Sequence, residues 1–215
     1  MKAIPVPVKN AATPKRLAIF DYGAGNLHSL MKAISSDDRE ISVETDIRAA
    51  AKADVLVLPG VGAFGAAAAA MRNQQSYLRS ALSDGLPCLG ICLGMQLLFD
   101  ASEEAVGEGV GFISGRVTRL RTSKVPHMGW NEIEWRGDGI RGRRGELETA
   151  YFANAFVCEP YDDSPILAWT THEDARFASV VRRGNTVGVQ FHPEKSSSAG
   201  CAYINAVIED LSRCE

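Results

Sequence analysis

A run of apolar and small residues, Leu86-Pro-Cys-Leu-Gly-Ile91, passes almost directly into a second run of different period. The first is too short for a helix and has no polar face, which suits a strand buried on both sides. The second, Met95 to Ala101, places Met95, Leu98 and Phe99 at helical spacing. A strand buried on both sides needs helices above and below it, which confines the chain to a layered α/β architecture. Between the runs lies Gly90-Ile-Cys-Leu-Gly94, where glycines allow a sharp strand-to-helix turn and leave a thiol standing on it. The unpaired N–H groups and dipole of the following helix favour a thiolate, so Cys92 is a candidate activated nucleophile. The same stretch also suits a small buried core residue, which is what most free cysteines are. Nothing within it chooses between the two.

The surrounding sequence repeats the alternation of strand and helix. Arg16 to Tyr22 is an expected strand, closed by Gly23-Ala-Gly25, and Asn26 precedes a helix with Leu27, Leu30, Met31 and Ile34 on one face. Ile41 to Thr45 and Ala53 to Pro59 are further strands. The latter opens into Pro59-Gly-Val-Gly62 and an alanine-rich helix, Phe64 to Arg72; a helix from Tyr77 to Ser83 then leads to the strand before Cys92. This order predicts a doubly wound, mainly parallel, flavodoxin-like sheet. After Ala101 the pattern changes to a loop, Ser102 to Gly115, and short strands of antiparallel type. These are expected over 116–121, 131–135, 150–158, 166–171, 178–182 and 186–190, with a closing helix over 199–211. Residues 1–15, with three prolines, read as an N-terminal tail before one domain, 16–215. The arginine-bearing stretch 136–145 reads as a solvated, turn-rich excursion.

Charge narrows the function classes. A net charge of −3 argues against a general nucleic-acid or anionic-membrane binder. No apolar run approaches the ~20 residues a membrane helix requires. The first residues lack the continuous apolar segment of a signal peptide. With five cysteines, no CxxC spacing and no export signal, reduced thiols and a cytoplasmic location are expected.

A cysteine nucleophile needs a base, and the base an orienting group. Of the four histidines, His28 lies in the first helix and His172 at a polar turn, whereas His192 ends the strand Val187 to Phe191. Pro193 biases His192 towards an extended conformation, in which Glu194 shares its side. A carboxylate there can hold the imidazole tautomer and stabilise the imidazolium. Pro59-Gly-Val-Gly62, at the carboxyl end of an expected parallel strand, and the amide of Leu93 are candidate oxyanion donors. No Gly-Lys-Ser/Thr follows the loop and no third glycine follows Gly23-Ala-Gly25, so phosphate-loop and dinucleotide fingerprints are absent. No two histidines fall at metal-ligand spacing, so no metal and no cofactor are expected.

Gly90-Ile-Cys-Leu-Gly-Met-Gln96 together with Gln190-Phe-His-Pro-Glu194 resembles the class I, or triad, glutamine amidotransferases. Within them, Phe20-Asp-Tyr-Gly-Ala-Gly-Asn-Leu-His-Ser29, Pro126-His-Met-Gly-Trp-Asn131 and His192-Pro-Glu-Lys-Ser196 are similar to the glutaminase subunits of imidazole glycerol phosphate synthases. The resemblance runs from about Leu17 to the C-terminus. It implies a type-1 amidotransferase domain in which Cys92 attacks the glutamine side chain, His192 protonates the departing ammonia and Glu194 orients His192. Gly62 and Gln96 would hold glutamine, and Val61 with Leu93 would form the oxyanion hole. The ammonia would pass to a (β/α)8-barrel cyclase subunit, in a heterodimer making imidazole glycerol phosphate and an aminoimidazole carboxamide ribotide for histidine synthesis. Asn26, Met128, Trp130, Asn131 and Lys195 match positions at or near that contact. The resemblance implies neither a nucleic-acid nor a membrane partner. One departure stands out: Tyr151-Phe-Ala-Asn-Ala-Phe156 replaces the family's Tyr-Phe-Val-His-Ser/Thr-Tyr. Alternatives of other kinds are a different triad amidotransferase, a catalytically silent subunit on the same fold, and a cysteine hydrolase of peptides or esters. The intact Cys92, His192 and Glu194 speak against a silent subunit, and the Trp130 and Lys195 surface against a simple hydrolase.

Overall fold

An eight-stranded sheet forms the centre of the computed structural model, which describes residues 13–23, 27–71, 73–137 and 147–213. From edge to edge its strands are Arg39–Glu44, Lys15–Phe20, Val55–Leu58, Cys88–Ile91, Thr186–Val189, Ala175–Arg183, Ile166–His172 and Glu134–Trp135. The first five run parallel and the last three antiparallel. The chain leaves Lys15–Phe20 to one side and returns on the other, so the parallel part is a doubly wound sheet of flavodoxin-like order.

Strand alternation divides the core. Leu17, Ile19, Val55, Val57, Leu89 and Ile91 face the helices His28–Ile34 and Ser197–Leu211. Ala18, Phe20, Leu56, Leu58 and Cys88 face Phe64–Ala70, Gln75–Ser83 and Leu93–Leu97. Both sets are buried, which is why these strands read as unbroken apolar runs. No helix of the described residues is long and apolar enough to cross a membrane.

Four expectations shift. The helix expected over Met95 to Ala101 spans Leu93–Leu97. It starts at once because the elbow leaves no linker. It stops early because the carbonyls of Leu97, Leu98 and Phe99 accept from Val110, Phe112, Ile113 and Gly111 at 2.7–3.0 Å. The strand expected over 150–158 is two, Thr149–Asn154 and Phe156–Pro160, which break at Ala155 because each pairs elsewhere. Thr149–Asn154 joins His127–Glu132, and Phe156–Pro160 joins Gly115–Arg119. The strand expected over 131–135 likewise divides at Ile133 between two sheets. The first strand starts at Lys15, inside the expected tail; residues 1–12 of that tail, and 138–146 of the arginine-bearing stretch, lie outside the described residues.

Candidate functional site

Three adjacent strands end at Leu58, Ile91 and Val189, and the segments that follow them meet. Cys92 stands directly after Ile91, with φ 46° and ψ −104°. A non-glycine residue there carries strain of about 1–3 kcal/mol, which the surroundings must offset. Its own backbone does part of this: Cys92 N–H donates to Val189 O at 2.6 Å, and Cys92 O accepts from Gln96 N–H at 3.0 Å. Close packing does the rest. A Cβ on Gly94 would lie 2.0 Å from Leu58 O, so the helix start sits hard against the neighbouring strand.

His192 lies between Cys92 and Glu194. Its Nδ1 is 2.8 Å from Glu194 Oε1, and the ring also hydrogen-bonds Cys92. A carboxylate accepts only, so Nδ1–H donates to it and Nε2 is left for the thiol. The geometry differs from the sequence expectation in one respect. Glu194 is in a one-turn 3-10 helix, Pro193–Lys195, rather than an extended segment, and the tight turn brings the carboxylate back to the ring. His192 is buried at 3% exposure, and the Glu194 side chain at 7%. Burial disfavours the imidazolium, but hydrogen bonds to Cys92 and Glu194, with their negative charge, outweigh it and raise His192 from 6.5 to about 9. The imidazolium therefore persists through neutral pH and is lost as pH rises through about 9. Cys92→Ala removes raising contributions while burial stays. The His192 ring titration, followed by NMR, is expected to fall below that value; an unmoved midpoint would refute the coupling.

The loop Pro59–Gly62 packs on the same group through Gly60, where a Cβ would lie 2.9 Å from His192 Cε1 and 3.1 Å from Cys92 Cβ. Val61 is half-buried, Gly62 is exposed, and Leu93 opens the helix after the elbow. Gln96 is buried and donates from Nε2 to Phe156 O at 3.1 Å. Asn154 Nδ2 donates to the same carbonyl at 3.1 Å, so Asn154-Ala155-Phe156 keeps a fixed backbone despite its unusual side chains.

Two residues without an expected role belong here. Gln190 is fully buried, its Nε2 3.5 Å from Cys92 Sγ and its Oε1 3.5 Å from Gln96 Nε2. A glutamine closing an apolar strand was the available signal, since a buried amide needs partners. Tyr22, also buried, donates its hydroxyl to Pro59 O.

The surface positions separate. Met128 and Trp130 are 60% and 55% exposed on one face of the strand His127–Glu132, and Lys195 is exposed directly after Glu194. The Asn131 side chain turns inward, donating to Thr171 O at 2.9 Å. Asn26 lies outside the described residues. Trp130 pairs with Tyr151, whose carbonyl accepts from His192 N–H at 2.9 Å, so the exposed strand is one residue pair from His192. Of the other histidines, His127 is buried and stacked on His172 at 4.0 Å; burial, and secondarily His172, lower it to about 4.

A model of the family "Glutamine amidotransferase class-I" matches residues 18–209. The chain is similar to the "imidazole glycerol phosphate synthase subunit HisH" of Pyrococcus furiosus, 42% identical over 192 residues covering 86% of this chain and 94% of the relative. It is also similar to the subunit of the same name from Zymomonas mobilis, 40% identical with 94% and 99% covered. The HisH of Gloeothece citriformis is 37% identical, with 91% and 96% covered. Among solved structures, one titled as a glutamine amidotransferase superposes with a TM-score of 0.69 at 17% identity, covering 91% of this chain and 98% of that one. PurLQS from Thermotoga maritima gives 0.68 at 18% identity, with 93% and 98% covered. At those identities the likeness shows the fold.

Proposed function

The chain belongs to the class-I glutamine amidotransferases, and from that membership we propose that it is the glutaminase subunit of an imidazole glycerol phosphate synthase, supplying ammonia to a separate cyclase subunit in histidine synthesis. The observation that carries the chemistry is the arrangement of His192 between Cys92 and Glu194, with the thiol on a strained elbow.

Cys92 sulfur, as thiolate, adds to the side-chain carbonyl carbon of glutamine, and the carbonyl electron pair moves onto oxygen. The amides of Val61 and Leu93 stabilise that oxyanion. As it collapses, the C–N bond breaks and the His192 imidazolium gives its proton to the leaving nitrogen, releasing ammonia and a glutamyl thioester. His192, now neutral, takes a proton from water, whose oxygen attacks the thioester and releases glutamate. Glu194 keeps the Nδ1–H tautomer throughout. Gln96 and Gly62 hold the glutamine.

Met128, Trp130 and Lys195 give the proposed cyclase contact its exposed side chains, with Asn131 and Asn26 assigned at or near it from the resemblance. The short path from Trp130 through Tyr151 to the His192 backbone supports coupling between docking and catalysis. A glutaminase assay of the chain alone, with the cyclase subunit, and with the subunit plus its ribotide ligand tests this. The expected result is slow hydrolysis alone and a rise of about 10–100-fold in the full assembly, the range of ordinary allosteric coupling. A chain that hydrolyses glutamine at the full rate alone would exclude gating, and one inactive in every combination would exclude the glutaminase assignment.

A further inference from the structure

Tyr22 stands just past the strand Lys15–Phe20, its ring held edge-on by Phe20 at 5.7 Å, and its buried hydroxyl donates to the carbonyl of Pro59. Pro59 has no N–H, so the residue offers the loop a single backbone group to anchor it, the carbonyl that Tyr22 holds. A peptide unit is planar, so fixing the Pro59 C=O also fixes the Gly60 N–H, which points the opposite way. Gly60 is in turn confined by His192 and Cys92, and the loop turns away at Gly62 with φ +108°.

We propose that Tyr22 is a positioning residue for the oxyanion loop: its hydroxyl sets the Pro59–Gly60 peptide and so the direction in which the following amides face the substrate carbonyl. The inference rests on the nucleophile reading of Cys92. The phenol is suited to this, because burial, and then the charges of Cys92, Cys88 and Asp21, push its pKa well up and keep it a donor. Without the hydroxyl, the buried Pro59 carbonyl has lost its donor, and the first loop peptide is released to turn towards another.

The test is Tyr22→Phe in the assembled enzyme, which removes one oxygen and leaves the ring packing. The expected kcat for glutamine falls about tenfold or more with KM unchanged, while ammonia-dependent synthesis stays close to wild type and the melting temperature falls by only a few degrees. A second measurement separates the loop from the nucleophile. The aldehyde analogue of glutamine adds Cys92 sulfur to its carbonyl carbon, giving a thiohemiacetal whose oxygen occupies the oxyanion hole. Its affinity is expected to fall by the same factor as kcat. Alkylation of Cys92 by iodoacetamide, a displacement of iodide that builds no oxyanion, is expected to keep its wild-type rate. Wild-type kcat and aldehyde affinity in Tyr22→Phe would overturn the proposal, as would equal losses in both Cys92 reactions, which would mean a merely structural role. A wild-type chain whose Cys92 reacts with neither reagent would overturn the nucleophile reading and the positioning role with it.

Discussion

Cys92→Ala is expected to abolish glutamine-dependent synthesis by the complex, by at least about four orders of magnitude, the scale on which catalytic nucleophiles are lost. Synthesis from added ammonium salts should continue at the wild-type rate, because the proposed cyclase chemistry lies on the other subunit. The variant should fold, since alanine is smaller and the elbow is held by backbone bonds to Val189 and Gln96 and by close packing at Gly94. Both rates are read from product formation with glutamine or ammonium as nitrogen source, with complex formation checked by gel filtration. Joint loss of both activities in an intact complex would contradict separate sites joined by ammonia transfer.

The second large effect is on folding. At Gly94 a Cβ would lie 2.0 Å from Leu58 O, 2.6 Å from its carbonyl carbon and 2.8 Å from Leu58 Cβ. All three belong to a central strand, so no flexible side-chain end can give way. Gly94→Ala must push the helix Leu93–Leu97 off the sheet or bend Val55–Leu58. The expected cost is about 3 kcal/mol or more, at or above the upper end for overpacked cores. For a chain of this size that is a fall in melting temperature of roughly 6–12 °C. Calorimetry reads it directly, and a melting temperature within a degree of wild type would show that the contact is looser than described.

The parallel half of the sheet was legible because its inner strands are buried on both faces and its helices on one. Those two patterns are written in different periods, 2 and 3.6, or in unbroken apolar runs. The four-residue helix Ile47–Ala50 escaped notice because one turn is too short to show a period; its only mark is Asp46, whose carboxylate caps two amides. The boundaries after Ala101 were less readable for another reason. Whether Thr149–Asn154 and Phe156–Pro160 are one strand or two depends on which distant strands they pair with, and pairing partners are not encoded locally. Cys92, His192 and Glu194 could be nominated as the proposed triad from residue types and neighbours alone. The 3-10 turn that returns Glu194 to His192, and the links from Gln190 to Cys92 and from Tyr22 to Pro59, join segments or conformations with no local signature.

The meeting of Cys92 with His192 across adjacent strands has a consequence for synthesis of the chain. The thiol leaves the ribosome about 5–20 s before the histidine, at translation rates of about 5–20 residues per second. The strand Cys88–Ile91 cannot acquire its neighbour Thr186–Val189 in that interval. During it the nascent polypeptide carries the proposed nucleophile without His192, Glu194 or the Val189 carbonyl that bonds the Cys92 amide. A truncated product ending before residue 186 is therefore expected to be inert towards glutamine, so aborted translation adds no leak of ammonia to the cell.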